Sequence, residues 1–231
     1  MTVPLVLGLV ACGSSQASST GPSVEPTASS ARSGASACPT SMAIAKEGSG
    51  VCLDLTLVTV SAYDECAAKG ACGKPATLYP SCNGNFRDRG NHPINCVTWS
   101  DANSFCHWAG KRLPSYEELR AAAAGPSGAA WPWGPQPPTD QICWSVGGQR
   151  EGTCPVGSYP KSNGVRGHAD MVGNLWQWTS TLVTELDPKS KPDEAVVYTA
   201  LDWTSDASST GSYTSAEKSV ALWSIGFRCA R

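Results

Sequence analysis

Cysteine is the residue type with the most chemistry to offer in this chain of 231 residues, which contains 11 cysteines. The first, Cys12, follows Leu9-Val10-Ala11 at the end of a short apolar run, the pattern at which a bacterial lipoprotein signal is cut and its cysteine acylated. We therefore predict a signal over residues 1–12 and a lipid such as palmitate on Cys12, which would be a membrane anchor at the cell envelope. No Lys or Arg precedes the apolar run, so a plain signal peptide and a chance cysteine are the alternatives. Gly13 at the next position favours the outer membrane if the host is Gram-negative.

The other cysteines predict a cross-linked domain outside the cytoplasm. Their number is even, and an even number in an exported chain indicates five disulfides, which persist in an oxidising compartment. The count alone leaves the pairing open. These residues are Cys38, Cys52, Cys66, Cys72, Cys82, Cys96, Cys106, Cys143, Cys154 and Cys229.

Composition divides the chain into a linker and one domain. Residues 13–37 consist almost wholly of Ser, Ala, Gly, Thr and Pro, so we expect a disordered tether. Residues 38–231 are long enough for one domain with a core. Lys and Arg total 17 against 19 Asp and Glu, which gives no basic field for nucleic acid. No stretch approaches the ~20 apolar residues that a membrane-spanning helix needs.

The elements that would position these residues are short. The 23 Gly, 17 Pro and 9 Trp indicate a loop-rich fold rather than a helix bundle. Capping residues and closing glycines predict three helices: residues 61–69, a second that Ser100 caps and Gly110 ends, and a third from the capping box at Ser115 to Ala124. Strand-like runs cover residues 53–57, 195–198 and 225–229, whereas residues 131–169 show no periodicity.

Six sequence blocks then follow one another in a specific order. They are residues 92–102, 105–115, 131–134, 155–158, 170–180 and 225–231, of which the second contains Trp-Ala-Gly-Lys-Arg-Leu-Pro, the fifth Asp-Met-Val-Gly-Asn-Leu-Trp-Gln-Trp and the last Gly-Phe-Arg-Cys-Ala-Arg. As a set they resemble the formylglycine-generating enzyme, or sulfatase-modifying factor, family, and the resemblance covers residues 38–231. It implies an α+β domain with a C-type-lectin-like fold, loop-rich and stapled by disulfides.

The resemblance also implies cross-links. The family's disulfide between a helix and the C-terminal end corresponds to Cys106–Cys229. The other cysteines then pair most simply with their neighbours, as Cys38–Cys52, Cys66–Cys72, Cys82–Cys96 and Cys143–Cys154. The last of these pairs lies where the family has one of its calcium sites, and we expect the cross-link to replace that ion.

A second calcium site of the family is similar to residues 170–177. A looped backbone can direct every second or third oxygen at one hard cation, and oxygen is the ligand that Ca²⁺ takes. Gln177 stands where the enzymes have Glu, so one negative charge is lost. The alternative is a calcium-free loop held by tryptophan packing. The ligands that the resemblance implies are the side chains of Asp170 and Gln177 and the main-chain carbonyls of Gly173 and Leu175.

The family's oxidase uses two nearby thiols to hold Cu(I), because soft thiolates select this ion. The stretch before those thiols corresponds here to residues 200–203, and Ser205 and Thr210 fall where the thiols should lie. No cysteine occurs between Cys154 and Cys229. We therefore predict a non-catalytic relative with no copper. The alternative is a sulfatase-modifying oxidase whose copper site is relocated or absent.

Other metal chemistry finds no pattern in the sequence. The sulfoxide synthases of this fold need a His-x-x-x-His-x-Glu iron motif, and the chain has three histidines at other spacings. We predict that His92, His107 and His168 are surface or packing residues.

Tryptophan could provide a flat surface for a ligand. Six of the nine lie within the family's blocks, and five of these are predicted to fill the core: Trp99, Trp108, Trp133, Trp176 and Trp178. Trp144, Trp203 and Trp223 are the better candidates for an exposed ligand surface. The sequence therefore predicts a non-catalytic binding or scaffold lipoprotein outside the cytoplasm, whose partner is a peptide, a protein or a glycan.

Overall fold

The structure, a computed structural model, describes residues 38–125, 129, 131–145, 150–198, 201–202, 204–205 and 213–231. The predicted signal, the lipidation site Cys12 and the linker lie outside these residues, as do Trp203 and Thr210. Within the described ranges no helix has the length and apolar character that crossing a membrane requires.

The described part of the chain folds into short helices and strands joined by long loops. The helices are α1 (Val60–Ala68), α2 (Trp99–Trp108), α3 (Tyr116–Ala123) and α4 (Val183–Leu186). The strands are β1 (Met42–Ile44), β2 (Cys52–Asp54), β3 (Trp176–Leu182), β4 (Glu194–Tyr198), β5 (Tyr213–Glu217) and β6 (Ile225–Gly226). Two single turns of 3-10 helix occupy Asn83–Asn85 and Pro160–Ser162. The α+β class is confirmed.

Threonine and serine caps set where the three longer helices begin. The Ser115 hydroxyl accepts from the Glu118 N–H and the Glu118 carboxylate from the Ser115 N–H, which confirms the predicted capping box. The cap predicted at Ser100 is wrong. Thr98 forms a capping box with Asp101, so α2 begins one residue before Ser100. An aspartate three residues after a threonine satisfies the same backbone groups as the glutamate does, and this makes Thr98 the better cap.

The main sheet has the order β5-β4-β3-β6. Strand β3 pairs antiparallel with β4, with an irregular register between Trp178 and Leu182, and parallel with β6. Strands β1 and β2 form a separate antiparallel pair, which is shorter than the strand predicted over residues 53–57. The strand β3 was not predicted, because most of its residues are buried and its sequence lacks the alternation of a half-buried strand.

The described residues form four apolar clusters, of which the two largest pack the helices. In the first, Tyr63, Phe105 and Phe227 stack around the contact between α1 and α2. In the second, Tyr116 and Leu119 of α3 pack on β4. Aromatic contacts thus hold the helices against one another and against the sheet without long regular elements.

The structure contains the five disulfides that the resemblance and the spacing implied. Cys106–Cys229 joins α2 to the segment after β6 across 123 residues and lies inside the first cluster. The other four close loops of 14, 6, 14 and 11 residues. Because disulfides are typical of proteins that fold outside the reducing cytoplasm, these cross-links indicate an extracytoplasmic protein.

The final segment of the chain is held inside the domain. The Arg231 N–H donates to the Cys52 carbonyl and the Cys52 N–H to the Arg231 carbonyl. Ala230 forms bridges with both Leu53 and Arg112. Residues 227–230 are buried as a consequence.

Candidate functional site

The loop over residues 170–177, where calcium was expected, contacts a buried arginine from another part of the chain at both of its ends. Arg228 has no exposed surface, and burial lowers its pKa to about 10. Its Nη2 donates to the Ala169 and Asp170 carbonyls at 2.7 and 3.2 Å. Its Nη1 donates to the Asp54 and Leu55 carbonyls at 3.1 and 3.3 Å. The guanidinium fork thereby joins β2 to the start of the loop.

Of the two side chains expected to bind calcium, Gln177 contacts this arginine and Asp170 is bonded to a backbone N–H. Arg228 Nε donates to Gln177 Oε1 at 2.8 Å, and Gln177 Nε2 lies 3.4 Å from the Asp170 carbonyl. Asp170 Oδ2 accepts from the Gly157 N–H at 2.8 Å. Burial raises the pKa of the Asp170 carboxyl, and the charge of Arg228 opposes that rise.

This arrangement does not fit a calcium ion. The Gln177 oxygen, which should face the ion, accepts from a guanidinium, and Asp170 would be the one carboxylate among the four implied ligands. A Ca²⁺ ion here would place two further positive charges beside a buried cation, and buried charges are costly unless they are paired. Arg228 contacts two of the four residues expected to hold the ion, the Gln177 side chain and the Asp170 carbonyl. Calcium binding therefore stays a prediction that these contacts oppose.

The other two residues of the expected site, Gly173 and Leu175, have roles in packing. Gly173 has φ +85°, and a Cβ on it would lie 2.9 Å from the Cys143 carbonyl. Leu175 is buried against Leu57 and both cysteines of the Cys143–Cys154 disulfide. Between them Asn174 donates its N–H to the Cys143 carbonyl, and its side-chain amide bonds both backbone groups of Cys154. The loop and the cross-link thus form one packed unit.

The domain has no thiol pair for copper. All ten cysteines of residues 38–231 are in disulfides, and Cys12 is the one other cysteine of the sequence. Ser205, near the position of the expected thiols, is buried and donates its hydroxyl to Asp202 Oδ1. Within the described ranges no group of three His, Cys, Asp or Glu side chains could hold a metal ion.

The three histidines have separate roles. His107 is exposed and bonds the Asn103 carbonyl. His92 Nδ1 lies 2.8 Å from the Thr153 hydroxyl. His168 is fully buried, and its Nε2 lies 3.3 Å from the Ala43 carbonyl. As predicted, they are surface or packing residues.

The exposure of two tryptophans differs from the prediction. Trp144 is only 4% exposed, so the expectation of exposure is wrong; it packs with Ile142, Val172 and Leu201. Trp223 is half-buried against the cluster of the Cys143–Cys154 disulfide. Trp108 was predicted to fill the core and is instead 37% exposed, because it lies on the outer side of α2.

A groove of about 560 Å³ lies between the β1–β2 turn, α3 and the turn at residues 164–167. Its carboxylates already have partners. Glu117 forms an ion pair with Arg120, and Glu118 accepts hydrogen bonds from both Nη atoms of Arg112. Its apolar surface includes Val165, which is 56% exposed. The lining residues are Ala45, Lys46, Ser49, Glu117, Glu118, Arg120, Ala121, Ala124, Gly125, Val165 and Arg166.

Two cations of this groove are free to meet a ligand. None of the ion pairs in the described residues uses Lys46 or Arg166. A second groove, of about 750 Å³, is lined by Lys191, Glu194 and Glu217, among others, and there the lysine lies within 4.0 Å of both carboxylates. The first groove is therefore the stronger candidate for an anionic ligand.

Comparison with known proteins identifies the family. The family model described as "Sulfatase-modifying factor enzyme 1-like domain" matches residues 44–231. The chain belongs to this family. The match includes nine of the ten disulfide-bonded cysteines, all but Cys38, and the resemblance read from the six sequence blocks is confirmed.

The family members that the chain resembles differ in activity. It is 30% identical over 162 residues to the "Inactive C-alpha-formylglycine-generating enzyme 2" of Bos taurus, a match that covers 63% of this chain and 52% of that protein. It is 36% identical over 109 residues to the "Formylglycine-generating enzyme" of Mycobacterium tuberculosis, covering 42% and 36% of the two chains. The chain therefore spans about half or less of the length of these relatives.

A solved structure supports the fold. "Structure of PvdO from Pseudomonas aeruginosa" superposes with a TM-score of 0.61 at 22% identity, covering 78% of this chain and 80% of that one. This likeness concerns the fold alone. The sulfatase-modifying factor fold with its few helices is thereby confirmed.

The arginine and the groove were missed by the sequence reading. Arg228 lies within the Gly-Phe-Arg-Cys block, but nothing in that block shows which oxygens it meets. Lys46 and Arg166 are separated by 120 positions of sequence, and only the fold brings them to one groove.

Proposed function

We propose that the chain is a non-catalytic, extracytoplasmic binding protein of the sulfatase-modifying factor family. One observation carries this proposal: every cysteine of the domain is in a disulfide. An oxidase that holds Cu(I) with a thiolate pair needs two free cysteines, and in the oxidised domain all ten are paired. The inactive relative with similar sequence supports the same reading.

The groove between α3 and the β1–β2 turn is the proposed binding site. Lys46 and Arg166 contribute two positive charges to a groove that the apolar residues Val165 and Ala121 also line. The chemistry that fits is an extended peptide segment with carboxylates spaced by small apolar side chains. Opposite charges raise the association rate and select the partner, while apolar contact contributes most of the affinity.

A binding measurement tests this site. We expect a fluorescent peptide that alternates Glu with Ala or Val to bind, and Lys46→Glu and Arg166→Glu each to weaken it about tenfold. Lys189→Glu is the matched control, because Lys189 is exposed and is not among the residues lining the groove. Equal loss in the control would show a general charge effect instead. If none of the three substitutions changes the affinity for the peptide, the groove is not the binding site.

A second experiment tests the absence of catalysis. The purified domain is titrated with Cu(I) and incubated in air with a cysteine-containing sulfatase-type peptide. We expect no stoichiometric copper binding and no aldehyde in the peptide by mass spectrometry. The alternative function, a sulfatase-modifying oxidase, is favoured by the 36% identity to a formylglycine-generating enzyme. Turnover above a metal-free control would establish it.

We also propose that the protein is attached to the cell envelope by a lipid on Cys12. The support is the Leu9-Val10-Ala11-Cys12 pattern. Metabolic labelling with a palmitate analogue should mark the full chain and not Cys12→Ser. If the full chain and the Cys12→Ser variant are both labelled, the lipid is attached to another residue. If neither is labelled, residues 1–12 act as a plain signal peptide.

A further inference from the structure

An arginine is held against one sulfur of the Cys143–Cys154 disulfide. Arg150 Nη1 lies 3.1 Å from Cys154 Sγ. Its Nη2 donates to the Tyr159 hydroxyl at 3.1 Å, and its Nε donates to the Trp144 carbonyl at 3.2 Å. The Tyr159 hydroxyl is itself 3.8 Å from the same sulfur. Three contacts thus fix a cation and a phenol at Cys154.

These donors suit a thiolate better than a disulfide. A disulfide sulfur is neutral and a weak acceptor, whereas a thiolate carries a full negative charge and accepts strongly from a guanidinium. A cation beside a cysteine stabilises its thiolate, and a more stable thiolate is the better leaving group in exchange. The arrangement therefore favours the reduced form of this cross-link relative to one without a cation.

The two sulfurs are unequal. Cys143 packs with Leu57, Leu175 and Trp223 in an apolar cluster, which disfavours a charge on its sulfur. Cys154 belongs to the same cluster but has Arg150 and Tyr159 at its sulfur. In thiol–disulfide exchange, Cys154 should therefore be the sulfur that leaves, because the nearby cation stabilises its thiolate, and Cys143 the sulfur that is attacked.

We propose that Cys143–Cys154 is a redox-reactive disulfide that exchanges with an external dithiol, with Cys154 as the leaving group. A thiolate of the dithiol attacks Cys143 Sγ, a mixed disulfide forms, and the Cys143–Cys154 bond breaks with its electron pair on Cys154. The second thiol of the dithiol loses its proton to solvent, attacks the mixed disulfide and releases Cys143 as a thiolate that takes up a proton. The protein gains two electrons and the dithiol becomes a disulfide.

The other cross-links provide an internal comparison. In the described residues, no other disulfide sulfur has an Arg or Lys nitrogen among its hydrogen-bond contacts; Cys106 Sγ meets only the Arg228 carbonyl, at 4.0 Å. Cys82–Cys96 closes a loop of similar length, 14 residues against 11, and is also buried. It is the matched control within the same molecule.

Equilibrium measurement is the suitable test, because both sulfurs are buried and access affects the rate but not the final ratio. The oxidised protein is brought to equilibrium with buffers of reduced and oxidised dithiothreitol. Free thiols are then alkylated and each cysteine is quantified by mass spectrometry. We expect Cys143 and Cys154 to become reduced first, at a dithiol ratio at least tenfold lower than Cys82 and Cys96 require.

Two variants assign this difference to Arg150. Arg150→Gln should lower the equilibrium constant for reduction about tenfold, which corresponds to about 30 mV for two electrons. Arg120→Gln, at an exposed arginine remote from any disulfide contact, should change nothing. In Cys143→Ser, the pH profile of Cys154 alkylation should shift to higher pH when Arg150→Gln is added.

The outcomes separate clearly. Selective reduction that Arg150→Gln removes, together with the shifted alkylation profile, supports the proposal. Reduction of all five disulfides in one step, or of Cys143–Cys154 last, overturns it. An unchanged alkylation profile in the double variant also overturns it, and this result stands even if Arg150→Gln alters the stability of the domain.

Discussion

A buried histidine gives this domain a specific response to acid. His168 has no exposed surface, and its Nδ1 has no hydrogen-bond partner in the described part of the chain. Burial, aided by the charges of Arg228 and Arg166, lowers its pKa to about 4 from 6.5. The imidazole should therefore stay neutral in the folded protein at pH values where the unfolded chain already binds a proton.

The sign and size of the effect follow from the two pKa values. The folded pKa lies below the unfolded one, so the contribution to stability is complete above pH 6.5 and is lost as the pH falls towards 4. Since one unit of pKa shift corresponds to about 1.4 kcal/mol, the free energy of unfolding should fall by about 3 kcal/mol across this window. That is a large part of the stability of an ordinary domain.

Urea denaturation at pH values between 7 and 4.5 measures this slope. His168→Phe removes the titration and the contact with the Ala43 carbonyl, so we expect a constant loss of about 1 kcal/mol and a flatter pH dependence. His92 is present in both proteins and cancels in their difference, although burial lowers its pKa too. His107→Gln is the control and should keep the full slope, because His107 is exposed. An identical slope in His168→Phe and the parent would refute the reasoning.

Two further predictions concern the cross-links and calcium. Replacing Cys106 and Cys229 together by Ser should lower the free energy of unfolding by about 5 kcal/mol on the chain-entropy model, because that disulfide closes 123 residues. The same change at Cys66 and Cys72, which close only 6 residues, should lower it by about 2 kcal/mol. Urea denaturation of the two double variants under oxidising conditions checks this order. Calcium and chelator should leave the melting temperature unchanged, since a specific ligand would raise it by mass action. A calcium-dependent rise that Asp170→Ala abolishes would contradict the role given to Arg228.

The sequence predicted those parts of the fold that depend on local chemistry. The capping box at Ser115 uses groups three residues apart, so it was readable, and the six ordered blocks identified the family. The strand β3 was missed because burial on both faces removes the alternation by which a strand is recognised. The cap at Thr98 was missed because Ser100 is an equally good residue type, and only the Asp101 contacts decide between them.

The candidate sites were harder to predict because their groups come from distant segments. Arg228 donates hydrogen bonds to oxygens of Asp54, Ala169 and Gln177. These four residues lie too far apart in sequence to form a recognisable local motif. The family pattern suggested a metal ion at this loop, since the ligand positions were recognisable. Whether a guanidinium lies there instead depends on tertiary packing. The absence of the family's copper-binding thiol pair, by contrast, could be read from the sequence, because no cysteine occurs between Cys154 and Cys229.

The burial of residues 227–230 has a consequence for the order in which the domain folds. Ala230 bridges both Leu53 and Arg112, and Cys229 is joined to Cys106, so this segment packs against residues more than 100 positions away. Contacts of such high sequence separation form slowly, because a long loop must close before they stabilise the chain. We therefore expect docking of this segment to be a late and slow step of folding, after the capped helices have formed.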